Sequence, residues 1–435
     1  MCLEDVPALV VRRNNAVLLR KSCDKHGWSE IVLSTRAEFY ARLDDMYFRI
    51  MDEEKPVGEY EIWLTLACDT ECTICHLGSA KSDGILCDPS LQDVEAFIRK
   101  TPCSSYVLSG GEPTCRDDIF EIIRIFKKHG KTVTMHTNGL KLRDKGFAAQ
   151  LKQSGLDRVN LQFDGFCRDS YKTLRGTDQL DAKLRQLDHL KLLDVPVDLN
   201  MTVARNVNDS DVGNVIEYAA KNPFIKGVNF FTICLLGGVR DWSLDNYIMP
   251  DEVVDHLEEK TAHKITRKSV FLFQKLHLAM KSWQGQRFCL YSQIYLLVRN
   301  GDSYEPIDKY LDLERAEKWL DRYAILYKKN KFLAKTMLVL TVPFSLFRWS
   351  SLKLAKEIFL TSLSYFFQTP HYLKSEKFLF VSFSTACDRY KIDYGLIKNC
   401  QDGIVHTDAV SGKLGYQGCD GLHCIEMEKK RYGNK

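Results

Sequence analysis

Between Tyr60 and Gly238, short apolar runs alternate with stretches of helical periodicity. The runs Tyr60–Ala67, Ser105–Ser109, Thr132–His136, Arg158–Phe163, Val197–Val203 and Gly227–Ile233 are rich in Val, Ile, Leu and Phe, as strands covered on both faces should be. Between them, helices are predicted at Leu91–Lys100 behind a Ser90 N-cap, at Asp117–His129 stopped by Gly130, at Leu142–Gln153 stopped by Gly155, at Leu180–Leu193 and at Asp211–Lys221. Strict alternation implies a parallel sheet with helical crossovers. An open doubly wound sheet and a partial barrel both satisfy it. Polar residues at nearly every strand end favour the barrel, whose reacting groups collect on that edge. The expected fold is therefore α/β: a partial (β/α)6 TIM-like barrel over 56–240, a small N-terminal module over 1–55, and a helical, cysteine-bearing C-terminal region over 241–435.

In the N-terminal module a strand is expected over Ala8–Leu19 and a helix near Glu38–Arg49. Cys2, Cys23 and His26 are knuckle-type residues. A closed four-ligand site would want one more cysteine ahead of Cys2, so either the start is truncated or the site is lost here. Past Gly238, helical patterns cover Asp251–Lys260, Leu313–Lys329 and Ser351–Phe367, and a tail follows with Cys387, Cys400, Cys419 and Cys424. Those four, with Cys289, are candidate ligands for a further iron–sulfur cluster, with zinc or plain buried thiols as alternatives.

Charge adds a boundary. Lys+Arg 61 against Asp+Glu 57 gives no basis for a nucleic-acid partner. Fifteen cysteines without an apolar N-terminal signal segment point to a reducing cytoplasm, thiols used for metals, and sensitivity to oxygen. The longest apolar run, Met337–Phe347, is too short to span a bilayer and is interrupted by Pro343. Lys331, Lys335, Arg348 and Lys353 flank the apolar stretch Phe332–Phe367 as on a helix lying at a membrane surface, though a core-packed helix pair is the plainer reading.

The chemistry centres on Trp63–Gly78, where Cys68, Cys72 and Cys75 follow the first barrel strand. Clusters normally take four thiolates, so three leave one iron open to a ligand that is not protein. The plainer alternative is a structural zinc completed by His76 or a distant cysteine. After the second strand comes Ser109-Gly110-Gly111-Glu112-Pro113-Thr114, where glycines let backbone approach a ligand and a carboxylate can hold an ammonium group. His136-Thr137-Asn138-Gly139 and Gln162-Phe163-Asp164-Gly165 end the third and fourth strands, either as plain turns or as ligand contacts. Asn200 and Thr202 share one face of the fifth strand and need a hydrogen-bonding partner. Cys87, Cys103, Cys115, Cys167 and Cys234 read as small core residues, Cys115 being the one close to the Gly-Gly-Glu turn.

The pairing of Cys68-x-x-x-Cys72-x-x-Cys75 with Gly110-Gly111-Glu112 resembles the radical S-adenosylmethionine (SAM) superfamily over roughly Tyr60–Gly238. The resemblance implies a [4Fe–4S] cluster on Cys68, Cys72 and Cys75, and SAM bound at its open iron with the methionine amine on Gly110, Gly111 and Glu112. It also implies reductive cleavage to a 5′-deoxyadenosyl radical that abstracts hydrogen from an unactivated C–H bond, with a flavodoxin or ferredoxin as electron donor. Ile74 stands where the family often has an aromatic residue against the adenine. Gln162, Asp164, Asn200 and Thr202 are implied ribose and carboxylate contacts.

Cys2-Leu-Glu-Asp-Val-Pro-Ala8, Cys23-Asp-Lys-His-Gly27, Gly110–Thr114, His136–Gly139, Leu161–Gly165 and Phe288–Leu297 further resemble the tetraether lipid synthases and the pterin-modifying class D radical SAM methylases. His406-Thr407 stands where that subgroup usually has Phe-Cys. The resemblance implies C–C bond formation or methylation on a lipid or a small molecule. The alternatives are maturation of a ribosomal peptide and a non-catalytic iron–sulfur or zinc protein on the same scaffold.

Overall fold

The computed structural model describes residues 5–51, 58–78, 86–236, 239, 242–286, 288–346, 348, 354, 357, 375–385, 388, 391, 402–408 and 414–418. Strands β1 (Ala8–Arg13), β2 (Ala16–Cys23) and β3 (Gly27–Ser34) form an antiparallel meander, followed by helix α1 (Ala37–Ile50). The single strand expected over Ala8–Leu19 is folded back at Asn14, whose φ of 53° is the left-handed conformation that asparagine tolerates.

The alternating region follows the expected order: β4 (Glu59–Thr65), the short β5 (Leu86–Cys87), α2 (Leu91–Lys100), β6 (Ser105–Gly110), α3 (Ile119–Lys128), β7 (Thr132–Thr137), α4 (Lys145–Gln153), β8 (Arg158–Gln162), α5 (Arg168–Arg175), α6 (Leu180–Leu192), β9 (Val197–Val203), α7 (Val212–Lys221) and β10 (Ile225–Thr232). Helix α2 begins at a reciprocal cap in which Ser90 Oγ accepts from Asp93 N while the Asp93 carboxylate accepts from Ser90 N. Helix α3 starts at Ile119 rather than Asp117, and presents Ile119, Ile122, Ile123 and Phe126 to the core. Strands β4, β6, β7, β8, β9 and β10 are parallel neighbours in chain order. This is the partial barrel, with each crossover helix closing its apolar stripe onto the sheet.

Helices α8 (Pro250–Lys260), α9 (Arg267–Gln284), α10 (Leu313–Lys329) and α11 (Lys331–Leu346) follow, but strands continue as well: β11 (Ser292–Asn300), β12 (Ser303–Pro306), β13 (Phe378–Thr385), β14 (Asp402–Asp408) and β15 (Leu414–Gly418). Helices dominate the described C-terminal region as expected, and the strands among them were not foreseen. β13 pairs parallel with β10 and β14 parallel with β4, so the sheet reads β12-β11-β13-β10-β9-β8-β7-β6-β4-β14-β15, with β5 on β14. The edges of a six-stranded sheet carry unpaired backbone groups, and these added strands satisfy them. Arg299 of β11 secures one flank by donating to the carbonyls of Ala219, Ala220, Glu376 and Phe378. The helix expected at Ser351–Phe367 lies outside the described residues apart from isolated positions.

Strand alternation sorts the barrel into two faces. Val159, Leu161, Leu199, Met201, Val228 and Phe230 are buried in the main core, while Asn160, Gln162, Asn200 and Asn229 point the other way and are only partly covered.

Candidate active site

The cysteine loop leaves β4 at Thr65 and is clamped from two sides. On one side Gly111 N donates to Thr65 O at 2.8 Å and Glu112 N to Ala67 O at 2.8 Å. A Cβ on Gly110, at φ +120°, would lie 2.3 Å from Thr65 O, and one on Gly111 would lie 2.4 Å from Ala67 O. The two glycines therefore serve the approach of the Gly-Gly-Glu backbone to the strand that delivers Cys68, a tighter reason for them than approach to a ligand. On the other side, Thr73 N donates to Leu174 O at 3.1 Å and Thr73 Oγ1 to Thr173 O at 2.7 Å, so the loop caps the C-terminal carbonyls of α5. Gly176 ends α5 in the left-handed conformation.

Within the loop, Thr70 Oγ1 lies 3.2 Å from Cys68 Sγ and 3.5 Å from Cys72 Sγ, so one hydroxyl bridges two of the sulfurs. Cys75 packs against a separate apolar cluster of Trp63, Leu66, Leu77, Leu236 and Ile404, with Cys234 on the same cluster. Burial pushes the Cys68 thiol up. Among the described residues, no three His, Cys, Asp and Glu side chains converge on the spacing of a single metal ion. His406 of β14, at one of the positions where the sequence departs from its subgroup, stacks on Trp63 with ring centroids 6.0 Å apart beneath this loop.

Glu112 is almost fully buried. Its Oε1 accepts from Thr114 N at 3.1 Å, Thr114 Oγ1 at 2.7 Å and Thr137 Oγ1 at 2.7 Å, whereas Oε2 accepts from Asn138 N at 2.7 Å. Burial pushes its pKa up against the pull of these donors. The crowded Oε1 fixes the carboxylate plane, and Oε2 retains capacity for one more donor. Asn138 reaches across to Asp69 of the cysteine loop, Nδ2 to Oδ1 at 2.6 Å.

Asp164 is fully buried and is gripped by a residue that sequence reasoning missed. Arg175 donates from Nε to Asp164 Oδ2 at 2.6 Å and from Nη2 to Oδ1 at 3.0 Å, and also reaches Thr202 Oγ1 at 3.1 Å. Burial works against the guanidinium charge, while Asp164 and the nearby Cys72 raise its pKa above the ordinary value. Gln162 Nε2 and Thr202 N complete the Asp164 carboxylate. Asp164 thus couples to the cysteine loop through Arg175. The helix α5 that carries Arg175 has a short, strongly polar sequence, and an arginine directly ahead of a helix-ending glycine was the signal available. Lys183 of α6 was missed too. It is fully buried, donates to Asn138 O, and has its pKa pulled down to about 7 by burial.

The inner face of the sheet carries a polar row. Gln162, Asn200, Asn229 and Ser382 are register partners on β8, β9, β10 and β13. Ser382 Oγ donates to Asn229 Oδ1 at 2.6 Å, and Asn229 Nδ2 donates to Asn200 Oδ1 at 2.8 Å. Asn160 Oδ1 and Gln162 Oε1, two residues apart on β8, are buried acceptors with no protein donor.

The other expected positions scatter. Ile74 is buried in the main core, so any adenine contact there would be made by its edge. Cys103 is a core thiol donating to Gly58 O at 3.0 Å and Ser105 O at 3.1 Å. Cys115 is pushed up to about 11 by burial and by Asp69 and Glu112. Cys23 Sγ and His26 Nδ1 lie 3.3 Å apart. Cys289 sits half-buried before β11, in contact with the core. Cys2, Cys387, Cys400, Cys419 and Cys424 lie outside the described residues, as does the Cys87 side chain.

A family model described as the radical SAM superfamily matches residues 64–219. The Saccharolobus solfataricus protein described as a probable GTP 3′,8-cyclase is 33% identical over 222 residues, 50% of this chain and 70% of that protein. The chain belongs to the radical SAM superfamily. As a member it is an enzyme, and its cofactors are a [4Fe–4S] cluster and SAM. The 7,8-dihydro-6-hydroxymethylpterin dimethyltransferase of Methanocaldococcus jannaschii is 28% identical over 353 residues, 72% of this chain and 70% of that protein. A second model, described as the HMPTM N-terminal zinc ribbon domain, matches residues 1–35, which fits an auxiliary zinc near Cys23 and His26. Among solved structures, Streptococcus suis SuiB bound to S-adenosylmethionine superposes with a TM-score of 0.41 at 17% identity over 47% of each chain.

The thiols fit a cluster. All three stand on one short loop, Cys68 and Cys72 share the Thr70 hydroxyl, and the largely buried Arg175 cation near Cys72 offsets thiolate charge.

Proposed function

We propose that Cys68, Cys72 and Cys75 hold the [4Fe–4S] cluster, that Glu112 Oε2 and the Gly110–Gly111 backbone receive the SAM ammonium group, and that the enzyme methylates, or forms a carbon–carbon bond on, a small polar molecule seated in the barrel. The bound cluster supplies the electron that cleaves SAM. This chain's residues do the placing. Glu112 is held by four neutral donors, so it meets a cation without reorganising. Thr202, tied to Arg175, stands at the strand end where the SAM ribose and carboxylate would lie.

The observation that carries the substrate reading is the pair of unpartnered acceptors, Asn160 Oδ1 and Gln162 Oε1, beside the Asn200–Asn229–Ser382 relay. Buried acceptors ask for N–H or O–H donors, which a hydroxymethylpterin-like heterocycle provides and a hydrocarbon chain does not. The test is anaerobic turnover of the reconstituted enzyme with 7,8-dihydro-6-hydroxymethylpterin, SAM and dithionite. A pterin product of higher mass in the native enzyme, lost in Gln162→Leu with the cluster retained, supports the reading. Deoxyadenosine formation that the pterin leaves unchanged, with no new product, refutes it. A second reading, a lipid substrate, is favoured by the exposed apolar stripe of α11.

A further inference from the structure

Helices α10 and α11 form an antiparallel hairpin. Ala334 and Leu338 are buried on its inner side, and Asp312 N donates to Leu346 O at 2.7 Å at the end opposite the connecting turn. At the tip Asn330 caps α11, with Oδ1 accepting from Leu333 N at 3.0 Å. Of the core-packed helix pair expected over Phe332–Phe367, the described residues cover α11, which is buried on its inner side only. On the outer side Phe332 is 81% exposed, Leu333 51%, Val339 52% and Leu340 61%.

These positions, spaced i, i+1, i+7 and i+8, lie along one side of a helix, so the chain spends an apolar stripe on water. Isolated exposed apolar residues are ordinary, but two exposed apolar pairs on one side of the helix, with Thr336 between them, mark a surface that meets something. The charges around it name the partner. From Arg322 to Lys356 the sequence carries eight lysines and arginines and no aspartate or glutamate, in a chain whose charges otherwise nearly cancel. Lys328, Lys329 and Lys331 are exposed at the tip beside Phe332 and Leu333. Self-association of this face would set lysines against lysines, which disfavours a second copy. No helix among the described residues is long and apolar enough to cross a membrane. A short helix with an exposed apolar face rimmed by lysines lies in the interface of an anionic bilayer instead.

We infer that the α10–α11 hairpin docks this enzyme on an anionic lipid surface, with Phe332, Leu333, Val339 and Leu340 entering the acyl boundary and Lys328, Lys329 and Lys331 meeting headgroup phosphates. The inference rests on the stripe and its charges alone, and stands apart from the substrate assigned to the barrel.

The test is flotation of the anaerobically reconstituted enzyme with vesicles of phosphatidylcholine alone and of an equimolar mixture with phosphatidylglycerol. The expected result is binding to the mixed vesicles that weakens with added salt. Paired substitution Phe332→Ser and Leu340→Ser should weaken it by about tenfold or more. Paired substitution Lys328→Ala and Lys329→Ala should weaken it by roughly fivefold per lysine. Both variants should retain native circular dichroism and deoxyadenosine formation. Three results overturn the inference: no flotation with mixed vesicles at low salt, flotation indifferent to both variants, or a native dimer by light scattering that Phe332→Ser and Leu340→Ser convert to monomer.

Discussion

The Arg175 guanidinium, largely buried, meets the fully buried Asp164 carboxylate at 2.6 and 3.0 Å, and Cys72 lies near enough to raise the pKa of the same guanidinium. One side chain thereby links the end of the fourth barrel strand to the cysteine loop. Removing one partner of such a pair strands the other without solvent. Arg175→Met should cost ~3–5 kcal/mol of folding stability, measured as a lower urea midpoint. It should also lower iron retained per chain, since a cation beside Cys72 is lost. Arg175→Lys keeps the charge but not the two-pronged geometry, and should recover part of both losses.

Gly111→Ala tests the clamp between the Gly-Gly-Glu turn and the cysteine loop. Its Cβ would fall 2.4 Å from Ala67 O and 2.6 Å from Leu66 O, both backbone atoms that cannot swing aside. The expected outcome is a loop pushed out of register, weaker SAM binding by at least about tenfold, and a stability loss on the order of 1–3 kcal/mol. Titration of the cluster's spectrum with SAM measures the first, and urea unfolding the second.

Much of this was legible in the sequence. Each barrel strand of the expected six lies within a few residues of its observed span, because the face packed against the helices must be apolar and the helices need caps and glycine stops. Cys68, Cys72 and Cys75 stood out as candidates because few other roles need three cysteines within eight residues, and Glu112 because it follows two glycines at a strand end. Arg175 was not, because its partner Asp164 is eleven residues away across a turn and an arginine at a helix end usually faces water. Lys183 was missed for a similar reason, since lysine is rarely buried whole. Strands β13 and β14 were hidden by distance, as their neighbours are β10 and β4, far back in the chain.

Lys183 gives a pH signature. Its pKa falls from 10.5 to about 7 on folding, with burial the main cause. Below about pH 7 both states carry the proton and the folded chain bears the full cost of a buried charge. Between about 7 and 10.5 the unfolded chain holds more protons than the folded one, so this group's contribution to stability rises with pH, and above 10.5 the cost is gone. Lys183→Met should flatten that part of the pH profile of thermal unfolding. An unchanged slope would mean that Lys183 does not titrate in this window.

The most direct measurement is anaerobic. The native chain and Cys72→Ala are each reconstituted with iron and sulfide, reduced with dithionite, given SAM, and assayed for 5′-deoxyadenosine alongside the cluster's electron paramagnetic resonance spectrum. The account predicts a spectrum that shifts on adding SAM and deoxyadenosine from the native chain, with both absent in Cys72→Ala. A native chain with a full cluster whose spectrum ignores SAM and which yields no deoxyadenosine, or a Cys72→Ala variant that still yields it, would contradict the assignment of this loop as the radical-generating site.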